Sequence, residues 1–223
     1  MAVSVLVVIP SVVRTSSKPL SYTPTRSVFT HEQRFAQLLE SIASVRRAIP
    51  QATVVVAEGG TLTDSELSTL KNQVDVFLDL TDNPQVVQGV QSPYKNLGES
   101  RMLMEIFKRL SGMHLAPDAS FIKLTGRYTI TETCNVHQLL GSADAVVLPV
   151  ESSHQMSTRL YKLPAVWIKD LGVYLSNLDE TGLLTRESHE TSMWNFVSLR
   201  PHVKVSHIGV RGLIAVDNCV IDE

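Results

Sequence analysis

The chain has 223 residues, 43% of them hydrophobic and 19% charged, with a net charge of -2 and a pI near 6.4. That length and balance fit one globular domain with a full core. The basic residues are spread along the chain and give no basic face, which excludes nucleic acid as the expected partner. Cys134 and Cys219 lie far apart with no C-x-x-C spacing, which excludes a disulfide scaffold and a zinc finger and fits a reducing, cytoplasmic setting, the host cytoplasm if the source is viral.

Met1 to Val13 is apolar, but it lacks a basic leader and Pro10 interrupts it. It is expected to be a buried strand rather than a signal peptide, and no run has the length of a membrane span. Val3–Ile9, a β-branched run, is strand one. Ser11 to Ser27 reads as a loop with Pro19 and Pro24. Thr30 then caps a helix with Gln33 in the capping-box position, and Phe35, Leu38, Leu39, Ile42 and Val45 form its apolar stripe. Thr53–Ala57 is strand two, followed by a short helix from Thr63 or Asp64 to Leu70. Val74–Leu80 is strand three. After a loop of about 15 residues, Asn96 is expected to cap a helix carrying Leu103, Ile106, Phe107 and Leu110 on its core face. Ser120–Leu124 and Ala145–Val150 are strands four and five.

This alternation predicts an α/β fold with a mostly parallel central sheet and helices on both faces. Beyond residue 150 the pattern is less regular. Strands are expected at Leu160–Lys169, Gly172–Leu175, Val203–His207 and Leu213–Val216, with a helix at Arg186–Leu199. The chain reads as a single domain, 1–223, whose first 150 residues bind a nucleotide and whose remainder covers the sheet edge on the acceptor side.

Such sheets bind ligands at the carboxyl ends of their strands, so the strand ends carry the candidate chemistry. Strand one ends in Pro10-Ser11, with Arg14 close behind to pair with a phosphate or carboxylate. Strand two ends in Glu58-Gly59-Gly60, where a carboxylate can accept from ribose hydroxyls or a base N–H. Asp79 and Asp82 end strand three, a pattern suited to Mg²⁺ or Mn²⁺ on a diphosphate or to a simple turn. Lys95, Gly98 and Arg101 surround a helix start, where free N–H groups favour an anion. Strand four ends in the most informative stretch: Lys123 and Thr125 share one side, Gly126 permits close approach, and Arg127 offers a planar fork for phosphate.

Glu187 and Glu190 flank His189 in one helical turn and can serve as general base on a hydroxyl, although acidic residues also favour helix starts for electrostatic reasons alone. His154, beside Glu151, can contact an acceptor, and His207 before Gly209-Val210-Arg211-Gly212 can reach a metal or diphosphate. Trp194 is expected in the core rather than as a sugar platform.

The strand-one end Val-Ile-Pro, the strand-two end Ala-Glu-Gly-Gly, the Lys95–Glu99 segment and Lys-Leu-Thr-Gly-Arg-Tyr together resemble small glycosyltransferases of the GT-A fold, similar to bacterial capsule enzymes and the glycosyltransferase domains of large algal viruses. The resemblance implies a nucleotide-diphosphate sugar donor, usually a UDP-sugar, and a glycan or glycoprotein acceptor. It places Ser11, Arg14 and Glu58 on the nucleoside and Asp79 near the ribose or metal, and makes Glu190, then Glu187, the base. His154 and His189 fall on the acceptor side. The family's Asp-x-Asp motif for Mn²⁺ is replaced here by Thr-Gly-Arg. The divalent cation is therefore open: Lys123 and Arg127 can neutralise the leaving diphosphate in its place, or Asp79 and Asp82 can hold a cation in a variant arrangement, with His207 a further candidate metal contact. A sugar-phosphate nucleotidyltransferase shares the topology, but the loop after strand one has no glycine. A non-catalytic nucleotide-sugar-binding module is the other alternative. A dehydrogenase would need G-x-G-x-x-G, which is absent.

Overall fold

β-Branched runs buried on both faces build the centre of the protein. The computed structural model describes residues 2–150 and 153–223, so Glu151 lies outside the described residues. The seven-stranded main sheet has the order β10-β6-β9-β4-β1-β2-β3. Its strands are β1 (Val3–Ser11), β2 (Thr53–Glu58), β3 (Val76–Asp79), β4 (Leu115–Leu124), β6 (Ala145–Val147), β9 (Leu160–Pro164) and β10 (His202–Lys204). The β1–β2, β1–β4, β2–β3 and β6–β10 pairs are parallel, and β9 runs antiparallel to both neighbours. A small sheet joins β5 (Tyr128–Ile130), β11 (Val210–Leu213) and β12 (Val220–Asp222), and β7 (Pro149–Val150) pairs with β8 (Gln155–Met156).

Alternation along the strands divides the core in two. Leu6, Val8, Val55, Ala57 and Phe121 face one way, toward α3 (Pro84–Gln91), α4 (Lys95–Leu110), α6 (Ile168–Glu180) and α7 (His189–Val197). Val7, Ile9, Val54, Val56 and Ile122 face the other, toward α1 (His31–Ala48), α2 (Asp64–Lys71) and α5 (Val136–Gly141). Each fully buried side chain of this kind contributes about 1.5–3 kcal/mol. The Phe107 and Phe121 rings add an edge-to-face contact at 5.6 Å. Thr30 with Gln33 and Thr63 with Glu66 form capping boxes, so α1 and α2 start where the sequence places them.

Several elements differ from expectation. The long loop before α4 contains α3, started by Pro84 and capped by the Asn83 side chain, which accepts from the backbone N–H groups of Gln85 and Val86. Asn96 is not a cap: α4 starts one residue earlier, after Tyr94, and Asn96 is buried in its first turn. Gly172–Leu175 lies inside α6, because Leu171, Leu175 and Leu178 recur at helical spacing and bury one stripe. The strand expected over Leu160–Lys169 stops at Pro164. The last helix starts at His189, after the Ser188 cap. The strand expected at Val203–His207 is His202–Lys204, and that expected at Leu213–Val216 is Val210–Leu213. The turn before β11 depends on Gly209, which has φ 74°, and a Cβ there would lie 2.2 Å from Cys134 Cα. The second half also does more than cover an edge, since β9 lies inside the main sheet between β4 and β6.

Candidate functional site

The carboxyl ends of β1 and β4 open into a cleft with a cavity volume of about 170 Å³. Its floor is Pro10, Ser11 and Val12 after β1, with Thr125 and Gly126 after β4. One wall is the first turn of α4, and Ile214, Ala215 and Val216 from the C-terminal segment form the other side. That segment is tied to the long loop after β1 by the Val28 N–H, which donates to the Ala215 carbonyl at 2.7 Å. A second cavity, of about 480 Å³, is lined by Tyr22, Tyr94, Gln155, Glu187, His189 and Glu190 among others. Tyr22 and Lys95 line both cavities and stand where they meet.

A partly buried network of charges occupies this junction. Lys95 Nζ is 3.8 Å from Glu99 Oε1 and 3.8 Å from Glu190 Oε1. Lys123 is 2% exposed; its Nζ donates to Thr125 Oγ1 at 2.6 Å and to the Thr158 carbonyl at 2.5 Å. Thr158 Oγ1 in turn donates to Glu190 Oε1 at 3.1 Å. Burial lowers the Lys123 ammonium to about 8, with Glu99 resisting and Lys95 adding to the fall. Burial works against the Glu99 charge, but Lys95, Lys123, His189 and Arg127 outweigh it and hold Glu99 at about 2. Burial likewise opposes the Glu190 charge, but Lys95, His189 and a backbone N–H together outweigh it, so Glu190 lies below the usual carboxylate range. Glu99, ahead of Glu190, holds the Lys95 ammonium above its ordinary value.

Asn96 orders the second cavity from behind. Its Nδ2 donates to the Glu187 carbonyl at 3.0 Å and to Ser192 Oγ at 3.2 Å, so Oδ1 faces Ser100 Oγ at 2.9 Å and His189 Nδ1 at 3.0 Å. With Nδ1 donating to that oxygen, His189 Nε2 carries the free lone pair, 3.9 Å from Glu99 Oε2. Burial pushes the His189 pKa down, which favours this neutral ring.

The structure brings most of the candidates from sequence together. Pro10, Ser11, Lys95 and Gly98 line the main cleft, as do Lys123, Thr125, Gly126 and Arg127. Glu187, His189 and Glu190 line the second cavity. Two glycines serve the chain's own packing at the cleft wall: Gly98 lets α4 approach Gly89 of α3, and Gly126 sits against Leu38 and Ile9.

Other candidates lie elsewhere. Arg14 is exposed and points to His31 Nε2 at 3.3 Å, not into the cleft. Glu58 is 1% exposed and is a hub for the chain itself: Oε1 accepts from the Val13 N–H at 2.9 Å and the Gly60 N–H at 2.7 Å. A buried carboxylate held this way fixes the loop after β1 and lines neither cavity. Asp79 is exposed and turns the chain by accepting from the Thr81 N–H and hydroxyl at 2.9 and 2.6 Å. Asp82 pairs with Arg109. His207 is exposed against Thr133 Oγ1 at 2.7 Å. His154 is exposed in the turn before β8 and lines neither cavity, whereas its neighbour Gln155 does.

The residues do not fit a divalent cation. Asp79 ends β3 and His207 follows β10, at opposite edges of the main sheet, and of the Asp79–Asp82 pair, Asp79 is taken up by Thr81 and Asp82 by Arg109. No group of three His, Cys, Asp or Glu side chains with metal-binding geometry occurs among the described residues. Among those residues, Glu99 is the one acidic side chain lining the main cleft, and it already faces Lys95.

Several site residues escape the sequence reading. Glu99 reads there only as a helix-start acid, although its i,i+4 spacing from Lys95 is a legible pair. Arg34 and Arg26 line the cleft from the α1 side and the long loop. Arg34 Nε and Nη2 donate to the Val12 carbonyl at 3.0 and 2.6 Å, and burial, with Arg127 nearby, lowers it to about 9. No local signal marks the Ile214–Val216 segment as part of the site.

No protein-family model matches the chain, and no curated protein matches it in sequence. Solved structures match it in shape. The galactosyltransferase LgtC, in complex with donor and acceptor sugar analogues, aligns over 90% of this chain and 72% of its own, with TM-score 0.55 and 9% identity. A glycosyltransferase involved in glycosylation of the major capsid of PBCV-1 aligns over 90% and 81%, with TM-score 0.48 and 6% identity. The CTP:phosphocholine cytidylyltransferase LicC of Streptococcus pneumoniae aligns over 98% and 96%, with TM-score 0.49 and 9% identity. The chain thus shares the GT-A-like α/β fold of LgtC.

Proposed function

We infer that this chain is a glycosyltransferase that moves a sugar from a nucleotide-diphosphate donor, a UDP-sugar by resemblance, to a hydroxyl of a glycan or glycoprotein. One observation carries the reading: a cation-lined cleft at the strand ends and a second, carboxylate-bearing cavity meet at Lys95. A transferase needs this pairing, because donor diphosphate and acceptor hydroxyl must both be held against one anomeric carbon.

In this reading the nucleotide lies in the main cleft, and Lys95, Lys123 and Arg127 surround its diphosphate. As the bond from the anomeric carbon to the diphosphate oxygen breaks, negative charge grows on that oxygen, and preorganised cations stabilise it. The acceptor lies in the second cavity with Tyr22 and Tyr94 as exposed aromatic faces, 61% and 40% accessible. Glu190 stays ionised through the neutral range, accepts a hydrogen bond from the acceptor hydroxyl and takes its proton. Glu187 lines the same cavity and is the second candidate.

The test is product analysis with a panel of nucleotide-sugars and, separately, of nucleoside triphosphates with sugar phosphates. The reading expects release of a nucleoside diphosphate from a nucleotide-sugar, falling at least ~100-fold in Glu190→Gln while donor binding is kept. Pyrophosphate release from a triphosphate would make the chain a nucleotidyltransferase instead. Donor binding with no turnover under any acceptor would leave a binding module.

A further inference from the structure

We propose that the main cleft grips the donor's diphosphate with side-chain cations alone and takes no divalent metal. This rests on the donor reading above and specifies how that site works.

The five cations lining the cleft divide into two kinds. Arg26 spends its donors on the chain, reaching the carbonyls of Lys18, Val90 and Ser92. Arg34 does the same toward Val12 and Ser27. These two arginines fasten the long loop after β1. In both, Nε and each terminal nitrogen has a partner, whereas each of the other three cations keeps a nitrogen, or in Lys123 an ammonium N–H, without one. Lys123 uses two donors, on Thr125 and Thr158, and an ammonium has three. Lys95 faces its two carboxylates at 3.8 Å, too far for a hydrogen bond, so its donors are uncommitted. Arg127 Nε is buried with no partner, and a buried unpaired donor costs about 1–3 kcal/mol unless something accepts from it.

An anion with several oxygens answers all three groups at once. Charge-assisted bonds from lysine and arginine to phosphate are among the stronger ones available. A divalent cation would answer none of them. Beside a diphosphate it would draw its oxygen ligands from waters, the phosphates and one or two protein carboxylates. Among the described residues the cleft offers one carboxylate, Glu99, whose charge Lys95 already balances, with Lys123 and Arg127 acting on it as well. Placing a metal there would set like charges together in a partly buried space.

The experiment is titration calorimetry of the full chain with UDP, CDP, GDP and ADP, first in EDTA and then with excess Mn²⁺. The proposal expects at least one nucleotide to bind in EDTA, with affinity changed less than about threefold by Mn²⁺. Arg127→Ala and Lys123→Met should each weaken binding at least about tenfold in EDTA, with no rescue by Mn²⁺. Lys123 also ties β4 to the segment before β9, so a Lys123→Met chain that fails to fold is replaced by Lys95→Met, whose side chain is 41% exposed. Binding that appears only with Mn²⁺ would overturn the proposal and leave the donor reading standing. No binding of any nucleotide, with or without Mn²⁺, would remove both.

Discussion

Replacing Glu58 with Gln should make the protein more stable above neutral pH. Glu58 is 1% exposed, and one of its oxygens serves two backbone N–H groups, those of Val13 and Gly60. Burial raises its carboxyl from 4.5 to about 7, against the pull of those N–H groups, Ser11 and Arg34. The unfolded chain releases this proton near 4.5, whereas the folded protein keeps it up to about 7. The contribution to stability is therefore fully present below pH 4.5 and is lost as the pH rises through about 7. The interval corresponds to about 3 kcal/mol. A Gln side chain keeps an amide oxygen for Val13 and Gly60 and cannot ionise, so it removes this loss. Urea denaturation of both proteins between pH 5 and 8 measures the difference. The advantage of Glu58→Gln should grow with pH and approach ~3 kcal/mol at pH 8. A difference that stays flat across this range, or a variant less stable at pH 8, would refute the reasoning.

Three further outcomes follow from the same geometry. Lys123, pushed down to about 8, faces Glu99 and Lys95 from α4, Glu190 from α7, Arg127, and the Tyr161 ring of β9; its charge is lost as pH rises through about 8, so nucleoside diphosphate affinity measured by calorimetry should fall between pH 7 and 9. Arg26→Ala removes the clamp onto Val90 and Ser92; it should cost about 1–3 kcal/mol and expose the loop after β1 to limited proteolysis. Gly209→Ala would put a methyl 2.2 Å from Cys134 Cα at φ 74°; thermal melting should show a loss exceeding about 3 kcal/mol, or no soluble protein.

The parts of the fold legible in the sequence are those written by local rules. The β-branched runs of β1 and β2 and the capping boxes of α1 and α2 carry their own signals. Leu160–Leu175 misleads because β9, a short helical turn and α6 follow with no loop between. Only the spacing of Leu171, Leu175 and Leu178 marks the change of period. The place of Lys123, Thr125 and Arg127 on the cleft is legible because parallel sheets open their clefts at the carboxyl ends of the strands. Glu58 looked like a ligand from its position, but which way a buried strand-end carboxylate turns depends on the loop across from it, here Val13. Arg26, Arg34 and Ile214–Val216 reach the cleft through long-range contacts, which leave no pattern in neighbouring residues.

The most direct test of the account is a crystal structure of the chain soaked with a hydrolysis-resistant nucleotide-diphosphate sugar. The account predicts the diphosphate oxygens within hydrogen-bond reach of Lys95, Lys123 and Arg127, with the sugar turned toward Glu190. Nucleotide density lying away from these three side chains would contradict it.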